Sequence, residues 1–245
     1  MNITPEQKRV AEQLTSLFEN GTIQLQYGYA ANLKDGRGIT CGRAGFCTGT
    51  GDAIQVVELY VEMNPGNPLE RFMPELTRLN GLKEEDGNDD VRRLVGFIRA
   101  WRQEAQKPAF HEAQDMITDK IYWTPSQWHS NHLGLVSPLA RAFMFDTVIQ
   151  HGDGDDQDSL TCLLVRANAA VGGTPATGIP EADWLTAFIR VRRADLAYCS
   201  DRTSRSVWAE SYGRCDTFST LAAEMNYNLV TPFQAKLDGH RHLIP

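Results

Sequence analysis

Helical spacing dominates this chain, and one segment near its start interrupts it. The first helix is framed by Thr4 and Gln7, which can form a capping box around Pro5, and by the helix stop at residues 20–21 (NG). Between these ends the apolar residues recur at three- and four-residue spacing: Val10, Leu14, Leu17 and Phe18. The pattern predicts a helix over residues 5–20 with one face packed against a core.

Residues 23–29 follow the two-residue period of a strand instead. Apolar side chains alternate there with polar residues or glycine: Ile23, Leu25, Tyr27 and Tyr29. Residues 35–36 (DG) are a turn signal, and residues 38–41 can return as a second strand. We therefore predict one small β-hairpin, the only one in the chain.

The rest of the sequence predicts a mainly α-helical protein. Helical spacing marks a segment that opens near Asp52 and further segments at 91–106, 108–122, 138–150, 158–171, 181–198 and around 219–225. The acidic run at residues 84–90 indicates a solvated loop. After the last helix we expect an irregular tail.

Charge and composition exclude two classes of protein. The 245 residues carry a net charge of −7, which argues against nucleic acid as a partner because phosphate binding needs clustered Lys and Arg. The same charge favours a cationic substrate. No apolar run approaches the roughly 20 residues that span a bilayer, so we expect no membrane protein.

The first residues lack the basic and apolar regions of a secretory leader. Two interpretations stay open at this point. Either the protein is cytosolic, or it is secreted and a leader has been removed.

The sequence predicts neither a metal site nor a cofactor. The five cysteines include no CxxC pair, and the two closely spaced histidine pairs have no further ligands at suitable spacing. Residues 49–51 (GTG) lack the third glycine and the Lys-Ser/Thr of a phosphate-binding loop. Cys199 and Cys215 are the first pair to test for a disulfide, although connectivity cannot be read from a sequence.

Two carboxyl groups have contrasting sequence environments. Glu19 lies at the C-terminal end of the first helix, where the helix dipole disfavours the charged form of a carboxyl group. Asp35 lies on a turn between Lys34 and Arg37, where nearby cations favour the carboxylate. Glycoside hydrolysis needs one protonated and one ionised carboxyl group, and this pair is suited to those two roles.

Four segments together resemble the active-site region of the family 46 chitosanases: residues 19–20 (EN), 26–29 (QYGY), 35–40 (DGRGIT) and 45–52 (GFCTGTGD). The combination of DGRG and GFCTGTGD at this spacing is specific to that family. Weaker similarities continue through most of the chain: residues 65–67, Tyr122 with Pro125, 145–146 with 151–152, and 203–205.

The resemblance implies roles for individual residues. Glu19 matches the proton donor of the family, Asp35 its base, and Thr40 a threonine that holds the nucleophilic water. Asp52 matches a carboxylate that recognises the amino group of glucosamine. The full set of implied substrate-binding residues is Tyr29, Arg37, Asp52 and His151.

The resemblance also implies a buried ion network behind the catalytic acid, formed by Asp146, Arg192 and Arg205. Two guanidinium groups that share one carboxylate leave residual positive charge, which can orient Glu19. The region between Arg192 and Arg205 matches the family only if a gap is placed in it. Arg190 and Arg193 therefore stay open as alternatives to Arg192.

The implied fold is mainly α, a two-lobed lysozyme-like α+β architecture with a small β-hairpin beside a substrate cleft. Residues 1–245 would form this single catalytic domain. The implied enzyme is a secreted, monomeric, inverting endo-glycosidase, with its leader removed, that acts on chitosan and glucosamine oligosaccharides without a cofactor. Two alternatives stay open: a glycosidase acting on peptidoglycan or acetylated chitin, and a carbohydrate-binding or periplasmic module without turnover.

Overall fold

The computed structural model describes residues 3–202 and 205–245, apart from the side chains of Glu84 and Val207. Thr203 and Ser204, which contribute to the family resemblance, lie outside the described residues. The α-helices are Pro5–Asn20 (α1), Asp52–Met63 (α2), Met73–Asn80 (α3), Phe97–Glu104 (α4), Pro108–Thr118 (α5), Thr124–Leu133 (α6), Pro138–His151 (α7), Leu160–Val171 (α8), Glu181–Tyr198 (α9), Arg205–Glu210 (α10) and Tyr212–Ala223 (α11). The strands are Ala30–Asn32 (β1), Ile39–Cys41 (β2), Phe46–Cys47 (β3), Phe233–Leu237 (β4) and His240–Ile244 (β5). A mainly helical fold with a small sheet is therefore confirmed.

The chain divides into two compact units, and the second is inserted into the first. The first unit comprises the described residues up to Gln24 together with Tyr122–Pro245, and the second comprises Leu25–Ile121. Each unit has its own cluster of buried apolar side chains. The arrangement of two lobes about a substrate cleft stays a prediction.

Helix α7 forms the centre of the first unit. Every residue from Pro138 to Val148 is buried, and α1, α6, α8 and α11 contact this helix. Ser137 caps its N-terminus by accepting a hydrogen bond from the backbone NH of Ala140 (3.2 Å). A helix buried on all sides has no solvated face for charge, so the aspartate it carries at position 146 needs internal partners.

Helix α1 begins and ends where the sequence predicts. Thr4 and Gln7 form the reciprocal capping box, with the Thr4 NH donating to Gln7 Oε1 (2.9 Å). Gly21 adopts a left-handed conformation with φ of 68°, and its NH closes the last turn on the carbonyl of Leu17. These two ends fix Glu19 in the final turn.

The predicted strand at residues 23–29 is wrong. The segment consists of bends and turns, and the first strand begins only at Ala30. Side chains from the helices take the hydrogen-bonding role of a neighbouring strand, because Trp101 Nε1 and Gln114 Nε2 both donate to the carbonyl of Tyr27 (2.9 and 3.1 Å). Tertiary contacts thus override the alternating pattern.

The predicted second strand and turn are confirmed in the second unit. Strands β1, β2 and β3 form an antiparallel sheet in that order, with Asp35-Gly36 in the turn between β1 and β2. Thr40 lies opposite Ala31 on one side and opposite Cys47 on the other. The sheet therefore places Thr40 and Cys47 directly across from each other.

The chain also contains a second hairpin that the sequence analysis missed. Strands β4 and β5 pair in antiparallel register where an irregular tail was expected. Strand β4 packs against α11, and a Cβ at Gly213 would lie 2.7 Å from the carbonyl oxygen of Lys236. Only glycine allows this close approach of helix and strand.

The remaining helix predictions are confirmed with different boundaries, whereas α3, α6 and α10 lie outside the predicted helical segments. Helix α4 is shorter than the segment 91–106, and α11 starts at Tyr212 instead of near residue 219. Residues 84–90 form a short 3₁₀ helix (84–86) followed by turn residues, as expected of a solvated loop. Over the described residues, no helix is both long enough and apolar enough to cross a bilayer.

The suggested disulfide between Cys199 and Cys215 is wrong, because both residues are free cysteines. The Cys199 thiol donates to the carbonyl of Asp201 (3.2 Å). Cys215 is buried in α11 as part of the apolar core of the first unit. Each sulfur is therefore accommodated as a small buried side chain.

Candidate active site

Glu19 presents its carboxyl group at the end of α1 beside a buried cation. Arg214 of α11 donates from Nη2 to Glu19 Oε1 in a close ion pair. The Arg214 side chain is 5% exposed, whereas that of Glu19 is 40% exposed. Within the described residues, the second carboxyl oxygen of Glu19 accepts no hydrogen bond. One oxygen is therefore held by the protein and the other is free to meet a ligand.

The same arginine connects Glu19 to a fully buried carboxylate. Arg214 Nη1 lies 3.1 Å from Asp146 Oδ1, and Arg192 Nη1 lies 2.7 Å from Asp146 Oδ2. Thr15, one turn before Glu19 on α1, also donates to Asp146 Oδ1 (3.2 Å). Burial alone would raise the pKa of Asp146, but the two guanidinium groups hold it below its ordinary value.

The structure corrects one member of the predicted ion network and identifies another. Arg192 occupies the expected place, whereas the open alternatives do not: Arg193 pairs with Asp216, and Arg190 is exposed. The prediction of Arg205 is wrong, because its Nε donates to the carbonyl of Cys199 (2.9 Å). Arg214 takes its place.

Helical spacing in the sequence could have identified Arg214. Arg214 lies three residues before Thr217 and four before Phe218, both buried, so helical spacing could have extended α11 back to include it. A helix predicted to start near residue 219 left it outside. Thr15 was missed because a threonine on a buried helix face looks like any other small core residue.

The structure places His151, which was predicted to bind substrate, inside the first unit. Its side chain is fully buried, and its Nδ1 lies 2.9 Å from the carbonyl oxygen of Asp158. Since a carbonyl can only accept, Nδ1 carries the proton. Nε2 is buried and has no hydrogen-bond partner among the described residues. A side chain without exposed surface cannot contact a sugar in this conformation.

Burial lowers the pKa of His151 to about 3, and the nearby Arg192 acts in the same direction. Asp195 Oδ2 lies 3.6 Å from Nδ1, but burial raises the pKa of that carboxyl group, which weakens its pull on the imidazole. His151 is therefore neutral in the folded protein.

We expect this neutral histidine to make the protein sensitive to acid. Because the folded pKa of His151 lies below the ordinary value of 6.5, the unfolded chain binds more protons as the pH falls from 6.5 towards 3. The free energy of unfolding should then decrease by up to about 1.4 kcal/mol per pH unit from this group. Urea unfolding between pH 7 and pH 4 measures the slope.

The His151→Asn variant keeps a donor near Asp158 and cannot titrate, so its slope should be shallower. His240→Asn, at an exposed position on β5, is the matched control and should leave the slope unchanged. Equal slopes for wild type and His151→Asn would contradict the assignment of His151 as a neutral histidine with a lowered pKa.

Asp35 is held as a carboxylate in the turn after β1. The side chain of Arg37 donates to Asp35 Oδ2 from Nε (3.0 Å) and Nη2 (2.7 Å), and its backbone NH donates to Oδ1 (3.2 Å). These hydrogen bonds from Arg37 lower the pKa of Asp35 below its ordinary value. Of the two cations predicted to favour the carboxylate, Lys34 and Arg37, it is Arg37 that pairs with Asp35.

Thr40 and Asp52 both contact Cys47 in the short strand β3. Thr40 Oγ1 is 3.4 Å from Cys47 Sγ, and the backbone NH of Cys47 donates to Asp52 Oδ1 (2.8 Å). Asp52 Oδ1 also accepts from Thr50 Oγ1 (2.6 Å), which leaves Oδ2 without a hydrogen bond from any described residue. One oxygen of Asp52 is thus fixed, and the other is available to a cation.

Tyr29 and Arg37 present partly exposed side chains in the same unit. Tyr29 is 40% exposed, and its carbonyl accepts from the NH of Gly42 (2.8 Å), which ties it to the turn after β2. The second unit therefore contains Tyr29, Asp35, Arg37, Thr40 and Asp52, whereas Glu19, Asp146 and Arg192 belong to the first. In the described part of the chain, no three His, Cys, Asp or Glu side chains are grouped to hold a metal ion.

Comparisons with known proteins match this chain over nearly its whole length. A chitosanase of Bacillus subtilis (strain 168) is 48% identical over 242 residues, covering 99% of this chain and 86% of that protein. A chitosanase of Streptomyces sp. (strain N174) is 33% identical over 205 residues, covering 82% of this chain and 71% of that protein.

Solved structures show the same fold. The E19A mutant of a Bacillus subtilis MY002 chitosanase, complexed with 6 GlcN, is 46% identical with a TM-score of 0.88 and covers 100% of both chains. A complex of a Gynuella sunshinyii GH46 chitosanase with chitotetraose is 37% identical with a TM-score of 0.87, covering 100% of this chain and 99% of that one.

A helical fold of this kind with these relatives defines a glycoside hydrolase. The chain belongs to glycosyl hydrolase family 46, whose family model matches residues 13–233. The family resemblance stated from the sequence is therefore confirmed.

Proposed function

We propose that this protein is an endo-acting chitosanase that hydrolyses β-1,4 linkages between glucosamine units of chitosan with inversion at the anomeric carbon. The observation that carries this proposal is the 48% identity to a chitosanase over 99% of the chain. Relatives with the same fold bind 6 GlcN or chitotetraose, which supports glucosamine oligosaccharides as ligands.

Asp52 is the proposed recognition group for the cationic sugar. Its Oδ1 is occupied by three donors of the protein, the backbone NH groups of Cys47 and Ala53 and the hydroxyl of Thr50. Oδ2 is then free to accept from a protonated amino group, a charge-assisted hydrogen bond that an acetylated sugar cannot offer. Tyr29 and Arg37 supply partly exposed side chains for contacts with the sugar.

Glu19 is the proposed general acid. Arg214 holds Oε1, so Oε2 is the oxygen that would carry the proton for the leaving oxygen. Asp146 and Arg192 fix the position of Arg214 from behind. A donor held by a buried network is preorganised, which lowers the cost of reaching the transition state.

Asp35 is the proposed general base. Arg37 keeps its carboxylate ionised, which is the state that accepts a proton from water. Thr40 supplies a hydroxyl that holds the same water. When the water attacks from the face opposite the leaving group, the anomeric configuration inverts.

Two measurements test this function. On chitosans of defined acetylation, we expect the rate to fall steeply as acetylation rises, because acetylated units lose the charge that Asp52 binds. Equal rates on fully acetylated and fully deacetylated polymer would favour the alternative of a glycosidase for chitin or peptidoglycan.

Proton NMR of fresh product should show the α anomer first, and initial β product would contradict inversion.

The non-enzymatic alternative predicts binding of chitosan without turnover. A measurable rate of hydrolysis on chitosan excludes this alternative, and binding without hydrolysis would establish it.

We also propose that the enzyme is secreted and acts outside the cell, because polymeric chitosan is too large to enter.

A further inference from the structure

The hydroxyl of Thr40 has one hydrogen-bond partner among the described residues, the sulfur of Cys47. The two residues face each other across the β2–β3 pair, and Thr40 Oγ1 lies 3.4 Å from Cys47 Sγ. Thr40 is 7% exposed and Cys47 is 2% exposed. The contact is therefore shielded from solvent, and its geometry is set by the sheet.

The direction of this hydrogen bond follows from a second contact of the same sulfur. Cys47 Sγ lies 3.2 Å from the carbonyl oxygen of Gly45, which can only accept. The single thiol hydrogen is thus directed to Gly45. Burial raises the pKa of Cys47, so the thiol keeps that hydrogen. The sulfur is left as an acceptor, and the hydrogen between the two side chains belongs to Thr40.

We propose that Cys47 is a positioning residue that orients the Thr40 hydroxyl so that its oxygen lone pairs face the nucleophilic water. This inference rests on the proposed function. Thr40 then accepts one hydrogen of the water and Asp35 accepts the other, so a lone pair of the water oxygen is aimed at the anomeric carbon. As the new C–O bond forms, Asp35 takes one proton, and the departing glycosidic oxygen takes a proton from Glu19.

Cys47 also links the water site to the site that binds the amino sugar. Its backbone NH donates to Asp52 Oδ1 (2.8 Å), and this contact does not depend on the side chain at position 47. A substitution of the thiol should therefore affect the chemical step through Thr40 while substrate binding through Asp52 is preserved. This separation predicts an effect on kcat without an equal effect on KM.

Steady-state kinetics on a deacetylated glucosamine oligomer tests the proposal. We expect Cys47→Ala to lower kcat by about five- to tenfold, the loss of one orienting hydrogen bond, with KM within twofold of wild type. Cys47→Ser can still accept from Thr40 and donate to Gly45, so it should retain kcat within about threefold of wild type.

Cys41 provides a matched control in the neighbouring strand. It is a buried free cysteine whose thiol donates to the carbonyl of Phe46 (3.2 Å), and among the described residues this thiol makes no hydrogen bond to the Thr40 hydroxyl. Cys41→Ala removes the same atoms from the same sheet, so both alanine variants should lower the melting temperature while only Cys47→Ala lowers kcat. An equal loss of kcat in both variants would overturn the proposal.

A double-mutant cycle separates orientation from general damage. Because Cys47 acts through the Thr40 hydroxyl, Cys47→Ala should cost no further kcat in a Thr40→Val background. Additive losses would show that Cys47 acts independently and would overturn the inference. If Thr40→Val alone leaves kcat unchanged, the role of Thr40 in the proposed function fails, and the inference fails with it.

Discussion

Replacing Glu19 with glutamine should nearly abolish hydrolysis of chitosan while the protein still folds. The amide of glutamine can accept from Arg214 as the carboxyl group does, but it has no proton to transfer to the leaving oxygen. General acid catalysis contributes about 10²- to 10⁴-fold, so kcat should fall by that factor. Reducing-end assays measure the rate, and circular dichroism with thermal unfolding measures the fold.

Glu6→Gln is the matched control on the same helix. Its carboxyl group is 81% exposed in the first turn of α1, far from the last turn that carries Glu19. We expect activity equal to wild type. If Glu19→Gln kept more than a tenth of wild-type activity, the assignment of the acid would be wrong.

Replacing Asp146 with asparagine should cause the largest loss of stability. The substitution conserves volume but leaves the guanidinium groups of Arg192 and Arg214 without their shared anion in a fully buried site. Breaking a buried pair in this way costs about 3–5 kcal/mol, because an uncompensated charge remains inside. For a chain of this size the melting temperature should drop by roughly 6–20 °C.

Asp216→Asn is the matched control for that experiment. Asp216 also pairs with an arginine between α9 and α11, but both side chains of that pair are more than two-fifths exposed. Such a pair contributes about 0–1 kcal/mol, so its loss should change the melting temperature by no more than about 4 °C. Equal destabilisation by the two variants would show that the buried network does not hold the fold together.

The sequence predicted best where structure depends on neighbours along the chain. The boundaries of α1 follow from Thr4, Gln7 and Gly21, whose effects reach no more than four residues. Asp35 and Arg37 are two residues apart, and their contact was expected for that reason. The environment of the proposed base is therefore local.

The environment of Glu19 is formed over long range, and there the prediction missed Arg214, the residue that pairs with Glu19 directly. Arg214 is 195 residues from Glu19 in sequence, so nothing local distinguishes it from the other arginines of the chain. The burial of His151 and the turn conformation of Tyr27 likewise depend on helices that pack from elsewhere in the chain. Even the family resemblance placed Arg205 where the structure has Arg214.

The discontinuous first unit has a consequence for the order of folding. All buried apolar residues of the second unit lie between Ala30 and Ile117, so this unit can collapse from a single stretch of chain. The apolar core of the first unit joins Val10 of α1 to Phe233 and Ile244 of the C-terminal hairpin. Closing so long a loop is entropically costly and slow compared with local contacts. During synthesis, Arg214 and the C-terminal hairpin are the last contacts of α1 to be made, so the surroundings of Glu19 are completed late.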